Sequence, residues 1–334
     1  MTADDHAAML RMISGSWVTQ VIGAAAGLSL AEHLKDGPRT AAEIAEREQS
    51  DPAATFRLMR ACASIGLLTR TGEAFTSTSL LATLHGDEPL SLKNWALVNT
   101  EPGLWQSFGH VKDAVRQGRS QPPQALGMSI FDYFAGHPEE GALFGAAMTN
   151  LSTPVILEVA DVIDLDGVAE VVDVGGADGA FVLELMRRHP GVAGVVLELP
   201  HAVPGALAAA KKRGMTPRFR AEAGDFFTAV PPGDLFLVKY VLHNWDDENC
   251  VRILRNCRRA MRPGGRIAVV EIVMSEQDDS SAGPLMDIAM LTFLDAKERT
   301  LAEFDDLLDR AGLRRTGLTS VQSPYCLIEA VAAG

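Results

Sequence analysis

Cysteine is scarce in this 334-residue chain, and its four copies (Cys62, Cys250, Cys257, Cys326) form no CxxC pair. Such spacing argues against both a zinc site and a disulfide framework, and it reads as buried thiols of a cytoplasmic protein. Positive charge is also short. Thirty Lys and Arg face 43 Asp and Glu, giving a net charge of −13 and a pI near 5.1. That balance disfavours nucleic acid or an anionic membrane as the main partner. Long apolar runs are missing as well. The most apolar early stretch, Val18 to Leu34, is broken by Gln20, Glu32 and His33 and is too short to cross a bilayer. The acidic opening MTADDHAAML does not look like a signal peptide. What the chain does have is 47% hydrophobic residues and a mean hydropathy of +0.08, enough for a sizeable core. Its length favours two domains.

The first hundred residues read as helical, in a specific order. A helix over 21–34 is followed by Thr40-Ala-Ala-Glu43, a capping-box start, and Asp51-Pro52 opens a third helix running to about Leu68. TRTGEAFTST (69–78) then places turn residues between short extended runs, as in a hairpin. Helix–helix–helix–hairpin is a winged-helix pattern. Its basic residues are few, Arg57 and Arg60 on the third helix, so a scaffold reused for dimerisation is preferred to DNA recognition. Residues 104–165 read as further helices, broken at QPPQ (121–124) and rich in large apolar side chains such as Trp105, Phe134, Phe144 and Met148.

From residue 168 onward the pattern alternates. Strands are expected at 170–174, 194–199, 218–223, 234–242 and 266–273, helices at 178–188, 247–261 and 301–311, and a closing hairpin over 316–331. This is the signature of an α/β doubly wound sheet, with ligands at the carboxyl ends of its strands. The stretch EVVDVGGADGAFVLELMRRHP (170–190) is the most informative within it: a buried strand, a glycine turn, then a helix whose N-terminus offers free N–H donors. Glu198 closes the next apolar run 19 residues after Gly179, where a ribose diol is gripped in such folds.

The order of the turn narrows the cofactor. A dinucleotide fold usually shows G-x-G-x-x-G, whereas here Asp173 precedes Gly175-Gly176-Ala-Asp178-Gly179. A carboxylate facing the site repels a pyrophosphate but suits an ammonium or a sulfonium, which favours S-adenosylmethionine over NAD. Gly224-Asp225-Phe226-Phe227 adds a carboxylate and aromatics for an adenine. His243 follows the strand DLFLVKYVL, Glu271 lies near the end of RIAVVEIV, and Glu298 precedes a capped helix. Strand ends converge in this fold, so one imidazole and two carboxylates are expected to meet. No clustered Asp/Asn set for magnesium is visible, and no metal is expected.

VDVGGADG, LELPHAV, GDFF, KYVLHNWDDENC, MRPGGRIAVVE and DAKERT, in this order, resemble the S-adenosylmethionine-dependent O-methyltransferases of the plant caffeate type and their bacterial natural-product relatives. The resemblance covers nearly the whole chain. It implies a winged-helix-like helical dimerisation domain over 1–100, linking helices over 101–165 that contribute to an acceptor pocket, and a class I Rossmann-like catalytic domain over 166–334. It makes His243 the catalytic base and Glu271 and Glu298 the carboxylates that hold it. Asp173, Gly175, Gly176, Glu198, Leu199, Asp225, Phe226 and Lys239 fall on cofactor positions, and Phe144, Met148, Asn244 and Met290 on acceptor positions. The implied partners are a small hydroxylated aromatic acceptor and a second copy of the chain. Asn244 stands where many relatives carry Asp, Glu198 where Asp is usual, and Ala177 replaces a loop glycine. Two other readings stay open: a relative using the cofactor for hydroxylation or decarboxylation, and a winged-helix regulator that only senses a ligand.

Overall fold

The computed structural model describes residues 2–275, 282–321 and 324–334. Two compact units emerge: Met1–Gly109 with Pro122–Thr153, and His110–Gln121 with Pro154–Gly334. The strands, in chain order, are β1 (Arg39–Thr40), β2 (Leu68–Thr71), β3 (Ala74–Ser77), β4 (Glu170–Val174), β5 (Ala193–Glu198), β6 (Phe219–Ala223), β7 (Gly233–Lys239), β8 (Met261–Met274), β9 (Arg299–Thr300), β10 (Leu313–Ser320) and β11 (Tyr325–Ala332).

In the first unit the predicted cap signals act as expected. Thr40 and Glu43 form a reciprocal capping box on helix Ala41–Glu48, and the Asp51 carboxylate accepts from the Ala54 N–H to start helix Pro52–Ser64. The hairpin is β2–β3, and it gains β1 as a third strand in the order β1-β3-β2, which the sequence reading missed. The single helix expected over 21–34 is two, Gly15–Gly27 and Leu30–His33, because Ser29 takes a left-handed conformation at φ 46°. Leu30, Ile44, Met59, Cys62, Phe75 and Leu81 are fully buried and close this unit's core. Each such side chain contributes about 1.5–3 kcal/mol on leaving water. Arg60 and Arg70 lie over the Phe56 ring at 5.9 and 4.8 Å, so these two cations are engaged with an aromatic face.

Helix Pro138–Val162 is long and apolar enough, by length and composition, to cross a membrane. Ala147, Val155, Ile156 and Val159 along it are buried, and Asn150 accepts a hydrogen bond from Asn94 at 2.9 Å.

The second unit is built on an eight-stranded sheet in the order β10-β11-β8-β7-β4-β5-β6, with β9 pairing the end of β8. Strands β4 to β8 run parallel, while β11 is antiparallel to β8 and to β10. Strand β4 is buried at all five positions, as expected of a strand covered on both faces. Alternation divides its residues between two cores. Val172 and Val174 join Phe236, Val238, Ile267 and Val269 under helices Asp247–Ala260 and Leu301–Ala311. Val171 joins Leu235, Leu237, Ala268 and Val270 on the opposite face, under helix Ala180–Arg188. Thr300 and Glu303 cap helix Leu301–Ala311 and Gly312 ends it at φ 75°, again as the sequence predicts. Chain order reverses between β4 and β7, and in open α/β sheets that reversal opens a ligand crevice at the carboxyl ends of the strands.

Candidate active site

The carboxyl end of β4 carries Asp173 and the glycine turn. Asp173 is 1% exposed, and its Oδ2 accepts from the Val182 N–H at 3.4 Å. Burial pushes its carboxyl up to about 7, with the Lys239 charge and the Val182 N–H pulling the other way. Gly175 has φ 69°, and a Cβ added there would lie 3.2 Å from Val241 Cγ2. At Gly176 it would lie 2.4 Å from Asp173 Cγ, so bare backbone is required directly over the carboxylate. Glu198, at the end of β5, reaches this turn: its Oε2 accepts from the Ala177 N–H at 3.2 Å and its Oε1 from the Leu199 N–H at 2.8 Å. Leu199 itself is exposed.

Asp225, after β6, is exposed and folds its carboxylate back on the Phe227 N–H at 2.8 Å. Phe226 packs toward Gly175, meets Phe227 edge-on at 4.8 Å, and is anchored by the buried Asn256, which donates to its carbonyl at 2.8 Å. Trp245 stands edge-on to Phe227, also at 4.8 Å, as a packing contact.

Strand β7 ends at Lys239 rather than at residue 242, because Tyr240 turns left-handed at φ 57°. A non-glycine residue held in that region marks backbone that its surroundings over-determine. Here the Lys239 ammonium lies 4.2 Å from the Tyr240 ring centre, Tyr325 stacks on the same ring at 4.9 Å, and Asn244 donates its amide N–H to the Tyr240 carbonyl at 3.1 Å. Burial lowers the Lys239 pKa, opposed by the charge of Asp173. The short turn Leu242–Asn244 follows and presents His243.

His243, Glu271 and Glu298 meet, and the two carboxylates hold different things. Glu298 Oε1 is 3.0 Å from His243 Nδ1, a hydrogen bond. Glu271 Oε2 is 3.7 Å from the same nitrogen, while Glu271 Oε1 accepts from the Val241 and Leu242 N–H groups at 2.9 and 2.8 Å. Glu271 is thus a direct brace of the backbone and only an electrostatic neighbour of the ring. Both carboxylates are buried, Glu271 within β8, so neither is a surface residue. Burial raises the Glu271 carboxyl, His243 opposes the rise and Glu298 adds to it. Burial works against charge on His243 too, but the Glu271 charge and the Glu298 hydrogen bond outweigh it and hold the imidazole above its ordinary value. The Glu298 N–H donates to Asp287 Oδ1 at 2.9 Å, a support given by helix Gly283–Leu294.

One imidazole and two carboxylates with ligand atoms within 4.8 Å of one another are also a donor set able to hold a metal ion. The separation of 3.0 Å between Nδ1 and Oε1 is an ordinary hydrogen-bond length and Glu271 Oε1 takes two backbone N–H groups, while the buried Oε2 atoms of Glu271 and Glu298 have no hydrogen-bond partner among the described residues.

Met290 is half-buried on helix Gly283–Leu294 in this unit. Phe144 and Met148 are half-buried one turn apart on helix Pro138–Val162, in the part belonging to the first unit, where Phe144 stacks on Phe134 at 4.8 Å. Sequence reasoning missed Asn256, Asp287 and Tyr240; Tyr240 lies inside the KYVLHN run, but nothing in that run marks its left-handed turn. Only the run of polar residues around His243 and Glu298 hinted at partners.

Comparison with known proteins bears on both units. Residues 108–314 match the family model of an O-methyltransferase domain, and residues 10–87 match that of an O-methyltransferase dimerisation domain. The chain is 32% identical to the phenazine O-methyltransferase PhzM of Lysobacter antibioticus, over 96% of this chain and 95% of that protein. It is 35% identical to the O-demethylpuromycin-O-methyltransferase of Streptomyces alboniger, over 96% of this chain and 88% of that one. Among solved structures it superposes on CalO1, a methyltransferase in calicheamicin biosynthesis in its SAH-bound form, with a TM-score of 0.87, 33% identity and 100% of both chains covered.

Proposed function

The chain belongs to the O-methyltransferase family, and on that premise we propose that it moves a methyl group from S-adenosylmethionine to a hydroxyl of a small aromatic or polyketide-type metabolite, with His243 as general base. The observation that carries this reading is the His243–Glu298 hydrogen bond at 3.0 Å beside the sheet's reversal point. Relatives named for phenazine and O-demethylpuromycin support the acceptor class.

The residues present fit the cofactor. A buried carboxylate beside two glycines suits a close-lying cation, and the structure offers Asp173, Gly175 and Gly176 for it. Glu198 and Leu199 would hold the ribose, Asp225 and Phe226 the adenine, and Lys239 would balance the charge of Asp173. When bound, S-adenosylmethionine supplies an electrophilic methyl on a sulfonium. The chain's own work is then proton transfer and alignment. An ionised Glu298 can only accept, so the Nδ1 of neutral His243 keeps its hydrogen and Nε2 is left with a lone pair. A phenol has a pKa of about 10 against about 6.5 for imidazole, so Nε2 takes the proton as the oxygen attacks rather than beforehand. The imidazolium so formed is stabilised by Glu298 and by the charge of Glu271. The rest of the acceleration comes from holding oxygen, methyl and sulfur in line. Asn244 and Met290 are proposed to contact the acceptor.

The N-terminal unit is proposed to form a homodimer. The match to a dimerisation domain supports it, as do Met12, Ile13 and Trp17, large apolar residues left 68–74% exposed on the chain alone.

The decisive test is a screen of hydroxyaromatic acceptors with methyl-labelled S-adenosylmethionine, run with and without EDTA. Label should reach at least one acceptor, and at an equal rate in EDTA. Cofactor binding without label transfer to any acceptor would favour non-methylating chemistry, and loss of transfer in EDTA would mean that the His243, Glu271 and Glu298 set holds a metal.

A further inference from the structure

Arg299 is the largest of the fully buried side chains among the described residues, at 0% exposure. A guanidinium is driven into the interior only where its donors are used. Its partners converge on one turn. Nη1 donates to the Leu242 carbonyl at 2.9 Å, Nη2 to the Trp245 carbonyl at 2.7 Å, and Nε and Nη2 to Asp247 Oδ1 at 3.0 and 2.7 Å. Leu242 and Trp245 flank His243 and Asn244, and Asp247 opens the next helix, Asp247–Ala260. The backbone of Arg299 is itself fixed, since β9 pairs in parallel with the end of β8, Arg299 opposite Val273. Two consecutive residues therefore reach the same turn from the sheet: Glu298 takes the imidazole and Arg299 takes the carbonyls on either side of it.

We propose that Arg299 is a positioning residue for His243, its planar fork clamping both ends of the turn so that the imidazole stays in register with Glu298. The proposal rests on the reading of His243 as the base, but it concerns the turn and is tested on the turn. A lysine at 299 keeps the charge yet cannot span two carbonyls and a carboxylate at fixed angles. With the clamp gone, the turn keeps Glu271 on its N–H side, but its carbonyl side is left with the weaker Cys250 thiol contacts to Leu242 and Trp245 at 3.1 and 3.5 Å and the turn's own Trp245 N–H. The Glu298 contact then loosens, and burial, which opposes charge on His243, gains weight. The midpoint for protonation of the ring accordingly falls.

The experiment uses the full chain with ¹³C at histidine Cε1, the His243 resonance being assigned by its loss in His243→Asn. Its titration is followed in the parent, in Arg299→Lys and in Asp247→Asn, which removes the outer anchor of the guanidinium together with the 3.7 Å ion pair of Asp247 to Lys297. The midpoint should fall by about half a pH unit or more in Arg299→Lys and by less, in the same direction, in Asp247→Asn. With a turned-over acceptor, kcat should fall about tenfold while KM and cofactor affinity stay within about twofold, the pattern of lost alignment rather than lost binding. A folded Arg299→Lys with an unmoved His243 midpoint, whatever its melting temperature, would overturn the proposal and leave Arg299 as packing. If Arg299→Lys does not fold, an unmoved midpoint in Asp247→Asn overturns it and a lowered one supports it. If the parent transfers methyl to no acceptor while the midpoints still shift, the functional reading fails and the positioning role stands.

Discussion

His243 Nδ1 lies 3.0 Å from Glu298 Oε1, a hydrogen bond in which a carboxylate can only accept. Glu271, 3.7 Å away, contributes charge, but its second oxygen is committed to the backbone. The two carboxylates should therefore respond differently to substitution.

Glu298→Gln is expected to disturb the tautomer, since an amide can donate to Nδ1 as well as accept from it. Turnover should drop by about 10²-fold, within the range that base catalysis supplies. The Glu298 bond holds the His243 pKa up, so its loss lowers that pKa and moves the acid limb of the kcat profile to lower pH. Steady-state rates from pH 5 to 9 check this, and an unshifted limb would mean that the bond does not tune His243.

Glu271→Leu should act mainly on the fold. It strands the Val241 and Leu242 N–H groups, and the lost pairing should destabilise the protein by about 2–5 kcal/mol. Thermal melting measures this, and Glu271→Gln, which can still accept through its amide oxygen, should recover most of the loss. Equal loss in both variants would show that the charge and not the backbone contacts matters.

Cofactor affinity should depend on Asp173. Its carboxyl is pushed up to about 7, and a cationic cofactor needs the ionised form. The sign follows: affinity is full above that value and declines as pH falls through it, because protonation competes with the cation. Calorimetric titration between pH 5.5 and 8.5 should show this decline in the parent and a flat, weaker response in Asp173→Asn. A parent affinity that does not change with pH would remove Asp173 from the cofactor's charge balance.

The dimer is expected to depend on the exposed Trp17. Trp17→Glu places a charge in the proposed interface, and light scattering after size exclusion should report a monomer, or a dimer at least about tenfold weaker than the parent. An unchanged dimer would place the interface elsewhere.

Much of this was readable before the structure because the signals are local. The Thr40–Glu43 and Thr300–Glu303 boxes span three residues each and act within one turn of helix. The glycine turn at 175–179 is dictated by backbone conformation and by the side chain of Asp173 two or three positions away. Alternation along β4 assigns residues to faces without knowledge of what covers them. What could not be read depends on pairs far apart in the chain. That Glu271 grips residues 241 and 242, or that Arg299 is buried under 242 and 245 rather than paired at the surface, follows from β7, β8 and β9 lying side by side. A buried Arg and an exposed Arg are the same letter. Likewise the break at Ser29 and the extra strand β1 come from packing within the first unit, where tertiary contacts override helix periodicity.

The central claim is that His243 is the base for methyl transfer, and His243→Ala tests it when turnover and cofactor binding are measured on the same preparation. Turnover should fall by about 10²–10⁴-fold while the Kd for S-adenosylmethionine stays within about threefold of the parent. Retention of turnover, or a parallel loss of turnover and cofactor affinity, would contradict it.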